Sequence, residues 1–183
     1  MRKILLFACL SLFSGVALGQ KFQLTSTGFV NADEPSKDYV VVEFPNQNQE
    51  TIYKKVLVML NKKYKSAKNV ISSVEPETIT INAISAKKIR RTGMHSFDNH
   101  YNITLSFRDG KVKVDAPKFE LTTYDYGKKQ EMYLQGGFSL DGSSFGIFKK
   151  DGTIKIDKAV EDLNSFANEF IDDIKKADDK DEW

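Results

Sequence analysis

Cysteine is almost absent from this sequence, since Cys9 is the only one among 183 residues. A single thiol cannot close a disulfide within the chain, and a thiolate zinc site needs several cysteines. Histidine is nearly as rare, with His95 and His100 as its two positions. Disulfide scaffolds and cysteine-based metal sites are therefore excluded, and any histidine chemistry has to come from one short segment.

Residues 1–19 have the composition of a cleavable secretory signal peptide. Arg2 and Lys3 form a short positive segment, residues 4–18 form an apolar stretch, and 17–19 (Ala-Leu-Gly) place small residues where signal peptidase cleaves. The apolar stretch is shorter than the ~20 residues of a transmembrane helix. We therefore predict export to the periplasm, the cell envelope or the medium. The working protein would begin near Gln20 and would not span a membrane.

Cleavage would change the chemical character of the chain. It removes Cys9, Arg2 and Lys3, so the 27 basic and 25 acidic residues of the whole sequence become 25 of each. The predicted mature protein is formally neutral and has no thiol, which excludes thiol catalysis. A neutral, exported protein also gives no reason to expect a nucleic-acid partner.

Hydrophobic periodicity predicts a strand, a helix, a run of strands and a final helix. Apolar and polar residues alternate in 101–108, and the Asp109-Gly110 pair that follows is typical of a hairpin turn. Pro117 then predicts an irregularity in the returning strand. The predicted strands are 39–44, 69–74, 78–91 and 101–108 with a return to 121, and the predicted helices are 50–64 and 156–176.

This order of elements is typical of an α+β domain in which both helices cover the apolar face of one curved antiparallel sheet. We predict a single domain over residues 20–176, preceded by a mostly extended lead-in. Residues 124–152 contain six glycines and six aromatics and are predicted to form an insertion with one or two short strands. Residues 177–183 form an acidic tail.

Residues 39 to about 121 resemble an uncharacterised family of exported proteins from Bacteroidetes-type bacteria. The similar features are the strand 39–44 followed by 51–55 (TIYKK), the strand start 79–82 (ITIN), and the strand end 107–111 (FRDGK). The family is described as a domain of unknown function with a TATA-box-binding-protein-like (TBP-like) fold. The resemblance implies a curved sheet with two helices on one face, TBP-like or helix-grip-like, and it implies no activity.

Candidate catalytic residues are few. His95, Asp98 and His100 form a conceivable metal-binding or hydrolytic set, but their spacing in what reads as a loop is not that of known zinc motifs. Solvated polar residues near a turn are the simpler interpretation. No other pattern indicates a metal or a cofactor, so we interpret the protein as non-enzymatic.

Charge is distributed unevenly along the chain. Residues 50–118 contain 14 basic and 6 acidic side chains, whereas 119–183 contain 9 basic and 15 acidic ones. The densest basic cluster, 87–91, could bind an anionic partner such as lipid headgroups or polysaccharide. The simpler interpretation is that the acidic C-terminal part offsets the basic part within one fold.

The C-terminal helix provides the candidate binding residues. In helix-grip folds such a helix lies across a curved sheet and can enclose an apolar cavity, which Phe166, Phe170 and Ile174 would line. A filled core is the alternative for this stripe. Our first hypothesis is a binding module for an apolar small molecule, a lipid or a protein partner. The second is a metal-dependent or hydrolytic enzyme using the histidine segment, and the third is a structural module that self-associates.

Overall fold

The computed structural model of the protein describes residues 20–136, 140 and 144–178. The predicted signal peptide and the acidic tail beyond Asp178 lie outside the described residues. The described part contains the helices α1 Gln49–Lys63, α2 Ala67–Val70 and α3 Asp157–Lys176. Its strands are β1 Phe22–Thr25, β2 Gly28–Asn31, β3 Tyr39–Glu43, β4 Ile71–Val74, β5 Thr78–Arg90, β6 Ser96–Arg108, β7 Lys111–Asp115, β8 Lys118–Asp125, β9 Lys128–Gln135 and β10 Ser144–Phe148.

The β5–β6 hairpin contains the two longest strands of the main sheet, with 13 residues each. Other strands pair with it on both sides. Every second residue of β6 from Phe97 to Phe107 is buried, and the residues between them are partly exposed. The predicted period of two is therefore confirmed and begins earlier, at Ser96. A bulge between Ser85 and Ile89 shifts the register of β5, where the sequence also loses its alternation.

The sheet divides into two branches at Ala116 and Pro117. Residues 105–108 of β6 pair with β7, whereas residues 98–102 of the same strand pair with β8. Proline lacks the backbone N–H that a continuous ladder needs, so the returning strand breaks there. β3 extends the β7 branch, and β9 followed by β10 extends the β8 branch. The predicted irregularity at Pro117 is confirmed, and the sheet is curved and not closed.

β10 makes the sheet mixed. It pairs in parallel with β9, with Phe145 opposite Met132, while the other strand pairs of the sheet are antiparallel. Our expectation of a wholly antiparallel sheet is therefore wrong at this edge. The backbone of β10 at Gly146 lies so close to Gly136 that an added Cβ would clash with the Gly136 carbonyl oxygen.

Both long helices pack on the same face of the main sheet, as the sequence predicts. Tyr53 of α1 contacts Phe107 edge-on at 5.3 Å between ring centroids, and Phe166 of α3 contacts Tyr101 at 4.7 Å. Both partners belong to the buried side of β6. No helix of the described residues packs on the other side of the sheet, and we call this side the open face. None of the helices in the described part is long and apolar enough to cross a membrane.

The lead-in and the start of the fourth strand differ from prediction. Residues 22–31 form the two-stranded β1–β2 hairpin rather than a simple extended segment. α3 holds this hairpin through two asparagines: Asn168 bonds both the N–H and the carbonyl of Phe22, and Asn164 accepts from the N–H of Leu24 at 2.7 Å. The predicted strand 69–74 begins only at residue 71, because 67–70 form α2.

Candidate functional site

A cleft opens where β8 and β9 separate. The two strands pair from Asp125 and Lys128 as far as Leu121 and Met132, and pairing ends there. If the register continued, Phe119 would lie opposite Leu134. Instead, residues 118–120 and 133–135 remain extended but unpaired with each other. We call the wedge between these two stretches the β8–β9 cleft.

On the sides that face away from the cleft, the stretches of β8 and β9 that border it pair with other strands. On the sides that face the cleft, they pair with no strand of the described residues. Residues 118–120 of β8 pair on their far side with residues 100–102 of β6. Residues in 133–135 of β9 pair on their far side with β10. Within the described part of the chain, no strand pairs with either stretch on the side of the cleft. Unpaired backbone donors and acceptors therefore face each other across it.

One wall of the cleft is apolar. Phe119 and Leu134 are partly buried, Met132 is buried, and Phe29 of the β1–β2 hairpin contacts Phe119 edge-on at 5.6 Å. The β1–β2 hairpin closes the helix side of the cleft at Gly28 and Phe29. The volume is about 970 Å³, which lies at the upper end of the range for small-molecule sites.

The opposite wall carries mostly carboxylates. Four acidic residues and two lysines line the cleft, which leaves a surplus of negative charge. Asp115 pairs with Lys113 at 2.8 Å, and Glu131 pairs with Lys129 at 2.7 Å. Hydrogen bonding to Glu131 raises the pKa of Lys129 above its ordinary value. Among the described residues, Glu120 has no ion pair. The six charged residues are Asp38, Lys113, Asp115, Lys118, Glu120 and Glu131.

The three predicted binding residues of α3 do not share one cavity. Ile174 and Phe170 are 0% and 2% exposed and belong to the core between helix and sheet. Phe166 is only partly buried and packs on Tyr101. Phe166 and Phe170 border a surface depression of about 290 Å³, where the Lys63 ammonium lies 5.5 Å from the Phe170 ring.

The predicted histidine set is divided between two environments. His95 lies in the loop just before β6, whereas Asp98 and His100 lie within β6 and not in the predicted loop. Within the strand, side chains alternate between the two faces. His95 contacts Phe97 and Phe145 on the helix side. Asp98 accepts from the N–H of Lys87, and His100 bonds Thr122, both pairs lying along the open face. The described residues contain no group of three His, Cys, Asp or Glu side chains that could hold a metal ion.

The basic cluster 87–91 is largely used inside the fold. Arg90 makes a bidentate pair with Asp162 of α3, with its shortest contact at 2.6 Å. The Arg91 guanidinium lies 3.7 Å from the ring centroid of Phe145, and the Lys87 ammonium donates to Thr123 at 2.6 Å. The charge of Arg90 is therefore compensated within the fold, and Arg91 and Lys87 also contact residues of the same fold.

The cleft was not predicted from the sequence. Pro117 marks the place where the sheet divides, but the separation of β8 from β9 depends on their partners β6 and β10. The sequence shows only that apolar residues continue at a spacing of two on both sides, at 119 and 121 and at 132 and 134. Such a pattern is the same in a closed strand pair and an open one.

The strand and helix order from β3 to β8 can be compared with known proteins. Residues 39–122 match the family model of a domain of unknown function, DUF4468, with a TBP-like fold. The match covers slightly less than half of the chain, and over this segment the chain is similar to that family. The match therefore includes most of β8, one of the two strands that form the β8–β9 cleft, while β1, β2, β9, β10 and α3 lie outside it. A search of curated protein sequences found no match.

Solved structures support the same fold. A TBP-like protein from Parabacteroides distasonis superposes with a TM-score of 0.59 at 15% identity, covering 78% of this chain and 91% of the other. A DUF4468 family protein from Bacteroides ovatus gives a TM-score of 0.56 at 18% identity, covering 78% and 85%. At these identities the likeness is one of fold. It carries no activity or ligand to this chain.

Proposed function

We propose that this protein is an exported, non-enzymatic binding module whose ligand occupies the β8–β9 cleft. The observation that carries the proposal is the cleft itself, about 970 Å³ in volume, with an apolar wall at Phe29, Phe119 and Leu134. A well-packed domain would close such a gap by continuing the strand pair, which costs no additional residues. A site that stays open and partly apolar is typical of ligand binding.

The site favours binding over catalysis. A metal-dependent reaction at the histidine segment would need His95, Asp98 and His100 on one side of the strand, and His95 lies among aromatic side chains on the helix side. The cleft carboxylates Asp115 and Glu131 are already engaged by lysines. A general acid instead needs a carboxyl whose pKa is raised by burial.

Export is proposed from the N-terminal sequence alone. Positive residues, an apolar stretch and a small-residue cleavage pattern occur in the order that signal peptidase recognises. Intact-mass measurement of the protein recovered from an expressing bacterium should give a chain beginning at Gln20. A chain that retains residues 1–19 would contradict the proposed export.

A neutral apolar dye tests the cleft directly. We expect N-phenyl-1-naphthylamine to fluoresce on binding residues 20–183. Leu134→Trp should weaken its binding about 10-fold, because the larger side chain would occupy space in the cleft beside the apolar wall. Val58→Trp is the matched control, because Val58 is 51% exposed on α1 and lies outside the cleft. Equal loss of binding in both variants, or in neither, would contradict the assignment of the cleft.

A further inference from the structure

We propose that the β8–β9 cleft binds a peptide segment in extended conformation, in which apolar side chains alternate with basic ones. This inference rests on the function proposed above and names the class of its ligand. It depends on two observations that concern different atoms. One is the pair of free backbone edges, and the other is the difference in polarity between the two sides of the cleft.

The backbone edges favour a peptide over a lipid. Residues 118–120 and 133–135 each have one strand neighbour, β6 or β10, and none on the side of the cleft among the described residues. An extended peptide offers N–H donors and carbonyl acceptors at the strand repeat, so it can bond along such an edge. An acyl chain offers neither, and would leave these backbone groups without partners.

The two sides of the cleft differ in polarity, so a bound strand should alternate between apolar and polar side chains. Phe119 lies opposite Tyr101 on the helix side of the sheet. Glu120 lies opposite His100, and with Glu131 it faces the open side. Successive side chains of a bound strand would point in turn to these two walls, because strand side chains alternate between faces. One set of ligand side chains should therefore be apolar and the other polar.

The charge of the cleft lining determines which charge the polar side chains of the ligand should carry. The cleft is lined by four carboxylates and two lysines. Lys113 and Lys129 neutralise Asp115 and Glu131, whereas Glu120 is exposed and has no ion pair in the described structure. A lysine or arginine of the ligand would complete this pairing. An anionic headgroup would meet the surplus negative charge, which disfavours fatty acids and anionic phospholipids.

The probe is a capped hexapeptide in which valine and lysine alternate, titrated into residues 20–183 by calorimetry. Methylation of its valine nitrogens removes backbone donors without changing charge, and should weaken binding at least about 10-fold if strand pairing carries it. A second hexapeptide, with glutamate in place of lysine, should also bind at least about 10-fold more weakly.

Protein variants test the acidic wall. Glu120→Lys should weaken binding of the lysine peptide about 10-fold, and Glu120→Gln less, because the first reverses the charge and the second only removes it. Glu43→Lys is the matched control: Glu43 is exposed on β3 and does not line the cleft, so we expect less than about a 2-fold change. In the bound state, amides within 118–120 and 133–135 should become protected from hydrogen exchange.

The outcomes separate the two proposals. If the dye occupies the cleft and the lysine peptide does not bind, the peptide inference fails and the binding function stands. The peptide inference would also be overturned if the N-methylated peptide bound as tightly as the unmethylated one. The same holds if the protein bound phosphatidylglycerol vesicles more tightly than the lysine peptide, and Leu134→Trp abolished that vesicle binding. If neither dye nor peptide changes the exchange of residues 118–120 and 133–135, both proposals fail.

Discussion

Two buried asparagines show how differently one residue type can act in this fold. Asn31 and Asn99 are both 0% exposed. The Asn31 side chain accepts from the N–H groups of Asp33 and Glu34 and donates to the carbonyl of Tyr39. Asn99 lies on the buried side of β6, and neither of its amide atoms has a hydrogen-bond partner among the described residues. The first amide therefore orders a loop, whereas the second is desolvated without compensation.

We predict that Asn99→Leu raises the free energy of unfolding by about 1–2 kcal/mol, because it replaces an unsatisfied buried amide by an apolar side chain with the same branched shape. Asn31→Leu is the matched control and should lower it by about 1–3 kcal/mol, since three partners lose their bonds. Urea unfolding followed by circular dichroism measures both. A destabilised Asn99→Leu variant would indicate that its amide binds an ordered water or a partner.

At the scale of elements, α3 organises the parts of the molecule beyond the family segment. Its spacing of four residues places Asn164 and Asn168 one turn apart, which matches the two-residue repeat of β1 from Phe22 to Leu24. The β1–β2 hairpin that they hold carries Phe29 to the cleft. A helix side chain thus replaces a neighbouring strand at the edge of a hairpin.

Removal of this attachment should affect the hairpin and the cleft together. We predict that Asn168→Ala costs about 1–3 kcal/mol in unfolding free energy, because both backbone groups of Phe22 lose their partner. Amides of residues 22–31 should then exchange faster, and dye affinity should fall. Ser165→Ala is the control, since Ser165 bonds only Glu169 of the same helix. Unchanged exchange in Asn168→Ala would contradict this role.

At the scale of the whole molecule, the basic and acidic parts of the chain meet at α3 and at the turn that follows it. Arg90 pairs with Asp162, Lys63 with Asp173, and Lys55 with Asp178. Each pair joins the basic segment 50–118 to the acidic segment 119–183. The uneven charge of the sequence is therefore compensated within the fold at these contacts.

The Asp178 pair makes stability depend on pH. The hydrogen bond from Lys55 holds the pKa of the Asp178 carboxyl below its ordinary value. A carboxyl with a depressed folded-state pKa stabilises the protein above the unfolded-state pKa of about 4, and this contribution disappears as pH falls through the folded-state value. Because the pair is partly exposed, its contribution should stay below about 1 kcal/mol.

We predict that Asp178→Asn is less stable than the wild type at pH 7, and that the difference disappears as pH falls through the folded-state pKa of Asp178. Urea unfolding at a series of pH values measures the difference. Asp172→Asn serves as the control, because Asp172 pairs with Lys175 within α3 and joins no other element. A difference for Asp178→Asn that persists unchanged at low pH would show that the charge pair does not cause it.

Local pattern was sufficient for the elements that depend on neighbouring residues. Alternation in 101–108 and the Asp109-Gly110 turn predicted the β6–β7 hairpin, and helical spacing predicted α1 and α3 to within one residue. Asp98 and His100 were misread as loop residues, because polar residues also occupy the open face of a strand. The parallel β9–β10 pair was missed, because direction of pairing depends on the path of the chain and not on composition.

The sequence by itself determined the α+β class, the order of most elements, the break at Pro117 and the uneven charge, because each follows from side-chain type and spacing along the chain. Only the tertiary structure decided which cations were paired, which aromatics of α3 were buried, and that β8 and β9 separate after Leu121 and Met132. These features depend on contacts between residues distant in sequence. The candidate site belongs to this second group, since it lies between two strands whose far edges pair with different neighbours.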